Sequence, residues 1–184
     1  MDWRLELLVG KNVNLRVVEK EDLPLLLEWF NSLEFAGRYN PLHAQQSREE
    51  MEKQYDKLGS EEKWFLIEKK NGSKIGFIGQ FAVRSYLEIG YVLVPDERNK
   101  SYCTEAVQLM VDYLFLSKDI VRIQAHANIE NVASQKVLEK TGFKKEGIER
   151  KRDFVRGKWT DSYVYSILRE EWKEPKILAR AILT

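Results

Sequence analysis

Glu88 stands in an otherwise mostly apolar run, Leu87-Glu-Ile-Gly-Tyr-Val-Leu-Val94, which reads as a strand that Pro95 ends. A carboxylate on such a strand can take the proton from an ammonium group, directly or through a water, and only the neutral amine is a nucleophile. A glutamate at a sheet edge facing solvent accounts for the same residue. Asn131 has the chemistry of a helix N-cap, and Ser134 follows three residues on, at the start of the same predicted helix. Tyr91 and Tyr102 are further candidate acids, although tyrosines in strands and helices more often pack. Cys103, the only cysteine, falls at a predicted helix N-terminus, where a thiol pKa can drop. With no histidine near it in sequence, an acyl-cysteine intermediate is disfavoured. His43 and His126 are read as polar surface or substrate-side groups, and with one cysteine they make no zinc cluster.

The elements that must position these residues follow from periodicity. Asn12 to Val18 reads as a strand, and Lys20 to Phe30 as a helix in which Pro24 falls in the first turn. Ser47-Arg-Glu-Glu50 has capping-box spacing and opens a helix that runs to Gly59. Trp64 to Lys69 and Lys74 to Val83 form a hairpin across Asn71-Gly72, followed by a turn near Arg84-Ser85 and the strand that carries Glu88. In the next helix Ala106, Leu109, Met110, Tyr113 and Leu114 face the core, and Glu105, Gln108 and Asp112 lie on the other side. Val121, Ile123, Ala125 and Ala127 alternate with polar residues as in a half-buried strand. Asn131 to Thr141 is a short helix closed by Gly142, and Phe143 to Arg150 and Ser162 to Leu168 are the last strands. The fold class is α/β (α+β): a mixed, mostly antiparallel sheet of about seven strands flanked by four helices.

Composition bounds the function classes. A chain of 184 residues with 43% hydrophobic and 32% charged residues is expected to fold as one domain over 1–184, with 173–184 a basic, loosely held tail. Thirty Lys+Arg against 29 Asp+Glu disfavour a nucleic-acid partner. Neither a signal-peptide core nor a membrane-length apolar run is present, so the expected setting is cytoplasmic, without a membrane partner.

Three stretches carry a resemblance. Leu87-Glu-Ile-Gly-Tyr-Val-Leu-Val-Pro95, Arg98-Asn-Lys-Ser-Tyr-Cys-Thr-Glu-Ala106, and Asn131-Val-Ala-Ser134 followed by Glu139-Lys-Thr-Gly-Phe143 together resemble the GCN5-related N-acetyltransferase (GNAT) superfamily. The last is most similar to its ribosomal-protein N-terminal acetyltransferase branch, the RimJ/RimL type. The resemblance covers nearly the whole element order and implies acetyl-CoA as cosubstrate. Arg98, Asn99, Lys100, Ser101, Tyr102, Cys103 and Thr104 would form the pyrophosphate turn, whose backbone N–H groups converge at the positive end of a helix. Ser101 and Cys103 stand where the family has glycine and glycine or alanine. A β-carbon at 101 is expected to crowd phosphate or resist the positive φ that glycine permits, and Asn99 to absorb part of the strain.

The resemblance further implies that pantetheine lies along the main chain near Leu93 and Val94, where an N–H would hold the thioester carbonyl. Asn131 would touch the coenzyme, Ser134 would orient or protonate the leaving thiolate, and Glu88 would deprotonate the acceptor. The acceptor pocket is expected from Trp29 to Asn40 and Phe154 to Tyr163, including Phe35, Arg38, Tyr39, Phe154 and Trp159. The implied activity is direct attack by a primary amine in a ternary complex, with a protein N-terminus as acceptor. A small amine (polyamine or aminoglycoside) and a non-catalytic CoA-binding module are the alternatives, and the reading leaves room for a homodimer.

Overall fold

The computed structural model describes residues 8–41, 45–84 and 86–176. β1 (Leu8–Val9) and β2 (Val13–Val17) pair antiparallel, and β2 continues onto β3 (Lys63–Lys69). β3 turns into β4 (Lys74–Val83) through Asn71-Gly72, where Gly72 takes a φ of 83°. β5 (Tyr86–Leu93) runs back along β4 from Val83↔Tyr86 to Gly76↔Leu93. β6 (Arg122–Asn128), β7 (Lys144–Val155) and β8 (Lys158–Leu168) complete one sheet in the order β1-β2-β3-β4-β5-β6-β8-β7. The eighth strand relative to the sequence reading is the two-residue β1.

Helices cover both faces. On one, α1 (Leu23–Phe30), the single turn α2 (Leu33–Ala36) and α3 (Arg48–Asp56) bury Leu26, Trp29, Phe35 and Met51 against Trp64, Leu66 and Phe77. α1 is preceded by a 3-10 turn and keeps Pro24 in its first turn, and Ser47 and Glu50 cap α3 reciprocally. On the other face α4 (Tyr102–Ser117) buries Ala106, Leu109, Met110 and Leu114 completely, and α5 (Val132–Lys140) adds Leu138. Glu105 ties the start of α4 to the β1–β2 turn by accepting from the Asn12 N–H and side-chain amide at 2.7 and 2.8 Å.

Two expectations are corrected here. Asp112 is buried, not solvent-facing: its carboxylate accepts from Trp172 Nε1 and the Lys176 N–H, both at 2.9 Å. The chain after β8 therefore packs along α4, with Trp172 on Phe115 at 5.5 Å between ring centroids. Val121 is 67% exposed and precedes β6, so the apolar alternation begins only at Ile123. Ile177, Leu178, Ile182 and Leu183 lie outside the described residues, as do His43 and Ser85. Among the described residues no helix is long and apolar enough to cross a membrane.

The buried carboxylate Asp22 gives the fold an acid-sensitive joint. Burial alone would raise its pKa. Hydrogen bonds from Arg16, Lys74 and the Glu19 N–H outweigh that and hold it at about 2. A depressed carboxyl contributes stability above its unfolded pKa and loses it as pH falls towards the folded value. The urea stability gap between wild type and Asp22→Asn is therefore expected to be about 2 kcal/mol at neutral pH and to shrink from pH 4 towards 2. A gap independent of pH would mean that the carboxylate charge contributes nothing.

One junction positions the site. β5 and β6, the only parallel neighbours among the described residues, pair there at Leu87↔Ile123 and Glu88↔Gln124. Beyond that point β5 stays on β4 to Leu93 while β6 stays on β8 to Asn128, so the two strands splay.

Candidate functional site

The splay opens a cleft of about 660 Å3, bordered by β5 from Ile89 to Leu93, the turn at 98–104, the end of β6 and the first turns of α5. At its head the turn takes a conformation that exposes main-chain donors. Asn99 and Ser101 both adopt positive φ, 62° and 64°, and Ser101 is the left-handed N-cap of α4. The first helical bond is Glu105 N–H to the Ser101 carbonyl, and the Arg98 N–H is taken by Pro95. Among the described residues no acceptor takes the N–H groups of Asn99 through Thr104. Six successive unpaired donors at the positive end of a 16-residue helix form an anion-binding concavity. Ser101 adopts the geometry expected to need glycine, at a cost of roughly 1–2 kcal/mol. Ser101→Gly is accordingly expected to raise stability by about 1 kcal/mol, read as a higher urea midpoint with unchanged slope. A lower midpoint would show that the serine hydroxyl contributes more than the strain costs.

The side chains of this turn are placed otherwise than the sequence suggests. Arg98 does not point at the cradle: it donates from Nε to the Leu93 carbonyl at 3.0 Å and from Nη2 to the carbonyls of Glu34 and Phe35 at 3.0 and 2.9 Å. Lys100 pairs with Glu97 at 3.1 Å and does not line the cleft, so only its main chain contributes to the donor array. Asn99, Ser101, Tyr102, Cys103 and Thr104 do line it. Burial pushes the Cys103 thiol up to about 12, which disfavours the thiolate that a nucleophile needs.

Along β5, the Val94 N–H donates to the Ile75 carbonyl at 2.9 Å, which corrects its expected role as a free donor. Alternation then turns the main-chain groups of Leu93, Tyr91 and Ile89 away from β4 and into the splay. All three residues line the cleft, and the Leu93 carbonyl already accepts from Arg98.

Across the splay, Asn131 caps α5 by accepting the Ser134 N–H at 3.1 Å. The Ser134 hydroxyl meets the Tyr91 hydroxyl at 2.9 Å, and Tyr91 also lies 3.3 Å from the Ser134 carbonyl. Burial raises the Tyr91 phenol well above its usual range, so it stays a neutral donor. Tyr91, Asn131 and Ser134 thus share one wall of the cleft.

Glu88 does not border the cleft. Its Oε1 lies 3.0 Å from His126 Nδ1 and 3.3 Å from Arg152 Nη2. His126 does border the cleft, and its Nε2 is 3.3 Å from Glu149.

Of the segments expected to wall the acceptor, only part borders the cleft. Arg38, Tyr39 and Asn40 line the cleft, with the Arg38 guanidinium 5.5 Å from the Tyr39 ring centre. Phe35 is core, stacked on Trp29 at 5.0 Å, because α2 turns it inward. Phe154 and Trp159 pack on each other at 5.5 Å, more than half exposed on the β7–β8 hairpin, and do not reach the cleft. Sequence reading missed Lys136 and Lys140 of α5, which also line the cleft. No local signal singled them out, because lysines on a helix are ordinary surface residues.

Comparison with known proteins identifies the family. Residues 12–144 fit the model of the family described as "Acetyltransferase (GNAT) domain". The uncharacterised N-acetyltransferase p20 of Bacillus licheniformis is 30% identical over 91% of this chain and 99% of its own length. YnaD of Bacillus subtilis, also an uncharacterised N-acetyltransferase, is 39% identical over a stretch that covers 53% of this chain and 57% of that protein. Among solved structures, a GNAT-family acetyltransferase from Bacillus anthracis superposes with a TM-score of 0.74 at 27% identity, covering 89% of this chain and 98% of that one. Spermidine N-acetyltransferase from Vibrio cholerae, in complex with CoA and spermine, gives 0.77 at 21% identity over 88% and 98%, a likeness of fold alone. With the family model and a full-length relative in agreement, the chain belongs to the GNAT family of acetyl-CoA-dependent N-acetyltransferases.

Proposed function

We propose that this protein moves the acetyl group of acetyl-CoA to the N-terminal amine of a polypeptide, by direct attack in a ternary complex. The array of unpaired N–H groups from Asn99 to Thr104, at the head of the β5–β6 splay, is the observation that carries the coenzyme half of this reading. These donors would hold the pyrophosphate, and Lys136 and Lys140 would add positive charge to the cleft lining. The Leu93, Tyr91 and Ile89 main chain would run along the pantetheine, with Asn131 capping the helix beside it. When bound, the coenzyme supplies the activated thioester. Ser134 would donate to its departing sulfur, and Tyr91 would donate to Ser134.

Charge supports the choice of acceptor. No Asp or Glu is among the described residues that line the cleft, whereas Arg38, Arg98, Lys136 and Lys140 are. A polyamine would bring several positive charges to a wall without a carboxylate. A polypeptide N-terminus brings one, together with a backbone that can pair with Asn40 in the cleft lining. YdaF of Bacillus subtilis, provisionally named a ribosomal N-acetyltransferase and 28% identical over 91% of this chain, agrees with that class. A cytoplasmic setting, where the single cysteine stays reduced, fits both substrates.

Thiol release from acetyl-CoA, followed with a panel of N-terminal peptides, spermidine, spermine and an aminoglycoside, tests the acceptor class. Peptide turnover at a kcat/KM at least tenfold above that of any polyamine is expected. Polyamine preference would reverse the assignment, and a coenzyme-bound protein that turns over no amine would leave a binding module. Acetyl-CoA at about 100 times its Kd should stabilise the fold by about 2.7 kcal/mol, and no shift in melting temperature would remove the coenzyme site.

A further inference from the structure

We infer that His126, oriented by Glu88, is the group that accepts the proton of the acceptor ammonium, so that Glu88 is a positioning residue. The inference rests on the acetyl-transfer reading above and names its base.

Glu88 is not among the described residues that border the cleft, and its Oε1 lies 3.0 Å from His126 Nδ1 and 3.3 Å from Arg152 Nη2. His126 does border it, with its side chain only 10% exposed. If Nδ1–H donates to Glu88, the neutral ring carries its lone pair on Nε2, which is the tautomer a base needs.

Nε2 has a partner in either protonation state. Gln124 Nε2 lies 3.4 Å away, and its amide orientation is set because Gln124 Oε1 accepts from Arg122 Nη2 at 2.9 Å. The neutral ring can therefore accept from an amide N–H. Glu149 Oε2 lies 3.3 Å from the same nitrogen, so the protonated ring can donate to a carboxylate. The charged groups around the ring are Glu88 from β5 and Glu149 and Arg152 from β7, with Asp153 3.9 Å from Arg152.

A distortion of β7 builds this arrangement. Glu149 pairs with Ser162 and Asp153 with Thr160, so residues 150–152 lie opposite Asp161 alone. Lys151 takes a φ of 52°, and its N–H donates to Asp161 Oδ1 at 2.8 Å. In a regular strand residues 149 and 152 would point to opposite faces. The bulge turns Glu149 towards His126 and Arg152 towards Glu88, the re-aiming of a side chain that bulges beside active sites perform.

The step balances as follows. An N–H bond of the ammonium breaks and its proton passes to His126 Nε2. The freed electron pair forms the N–C bond at the thioester carbonyl, the C–S bond breaks, and its electron pair leaves on sulfur. The second proton of the attacking nitrogen and the one held by His126 pass to the thiolate and to solvent.

The test is the pH dependence of kcat/KM for wild type, His126→Gln and Glu88→Gln with one peptide acceptor. His126→Gln is expected to lower kcat/KM near neutrality by about 10²-fold or more, and to replace the wild-type ascending limb by a rate that tracks the free-amine fraction. Glu88→Gln should keep the limb but move it to lower pH, because the imidazolium loses a carboxylate. An unaltered His126→Gln profile, or loss of the limb in Glu88→Gln alone, overturns the assignment. Wild-type turnover is measured first: an inactive wild type overturns the transfer reading, whereas an active one with an unaltered variant overturns the assignment alone. Should His126→Gln not fold, 15N-histidine spectra of wild type decide, with His43→Gln to assign the signals. The ring should be neutral and Nδ1-protonated above the kinetic limb, and a ring that stays charged through the limb overturns the proposal.

Discussion

Ser134→Ala is expected to lower kcat by about 10²-fold or more while leaving the fold almost as stable as before. The two effects separate because the local structure has a spare acceptor. The Asn131 side chain, not the serine hydroxyl, caps α5, through the Ser134 main-chain N–H. When the hydroxyl is removed, Tyr91 keeps the Ser134 carbonyl at 3.3 Å as an alternative, so no buried donor is orphaned. What disappears is a donor aimed from α5 into the cleft, and a donor that meets charge developing on a leaving sulfur acts on the rate. Burial keeps the Tyr91 phenol protonated well above the usual range, which makes it a poor proton source for a thiolate but a dependable hydrogen-bond donor to Ser134. Tyr91→Phe should therefore lower kcat through Ser134, and the double variant should be no slower than Ser134→Ala alone. Additive losses would show that the two hydroxyls act independently. Full activity with a lowered melting temperature would return Ser134 to a structural role.

Arg98→Leu should destabilise the protein without any ligand, by about 3 kcal/mol, or roughly 10 °C in melting temperature for a chain of this size. The guanidinium joins the end of β5 to α2 through three carbonyls, and each loses a charged donor in the variant. Gly37 at the end of α2 fits this joint. It takes a φ of 70°, and a β-carbon there would lie 3.3 Å from the Arg98 guanidinium. Acetyl-CoA affinity should fall as well, because Arg98 begins the turn whose N–H groups form the cradle. Calorimetry of the ligand-free variant separates the roles: an unchanged melting temperature with weaker coenzyme binding would make Arg98 a phosphate ligand.

The sequence by itself determined the features that rest on contacts between near neighbours. The helix opened by Ser47 and Glu50, the hairpin at Asn71-Gly72, the strand ended by Pro95 and the cap at Asn131 all depend on residues within a few positions. Ser101 was legible as an anomaly for the same reason, since its left-handed φ is a property of one residue in one turn. The tertiary structure alone decided the partners of the chemical groups. Tyr91 meets Ser134 across 43 residues, Glu88 meets His126 across 38 and Arg152 across 64, and Arg98 reaches Glu34 across 64. Periodicity puts a side chain on a face, but it does not say where two strands part or where a bulge reverses a face. The splay of β5 from β6 set Tyr91 beside Ser134, and the bulge in β7 brought Arg152 to Glu88. Asp112 shows the same limit: it reads as solvent-facing on its helix, and only the return of Trp172 and Lys176 across α4 buries it.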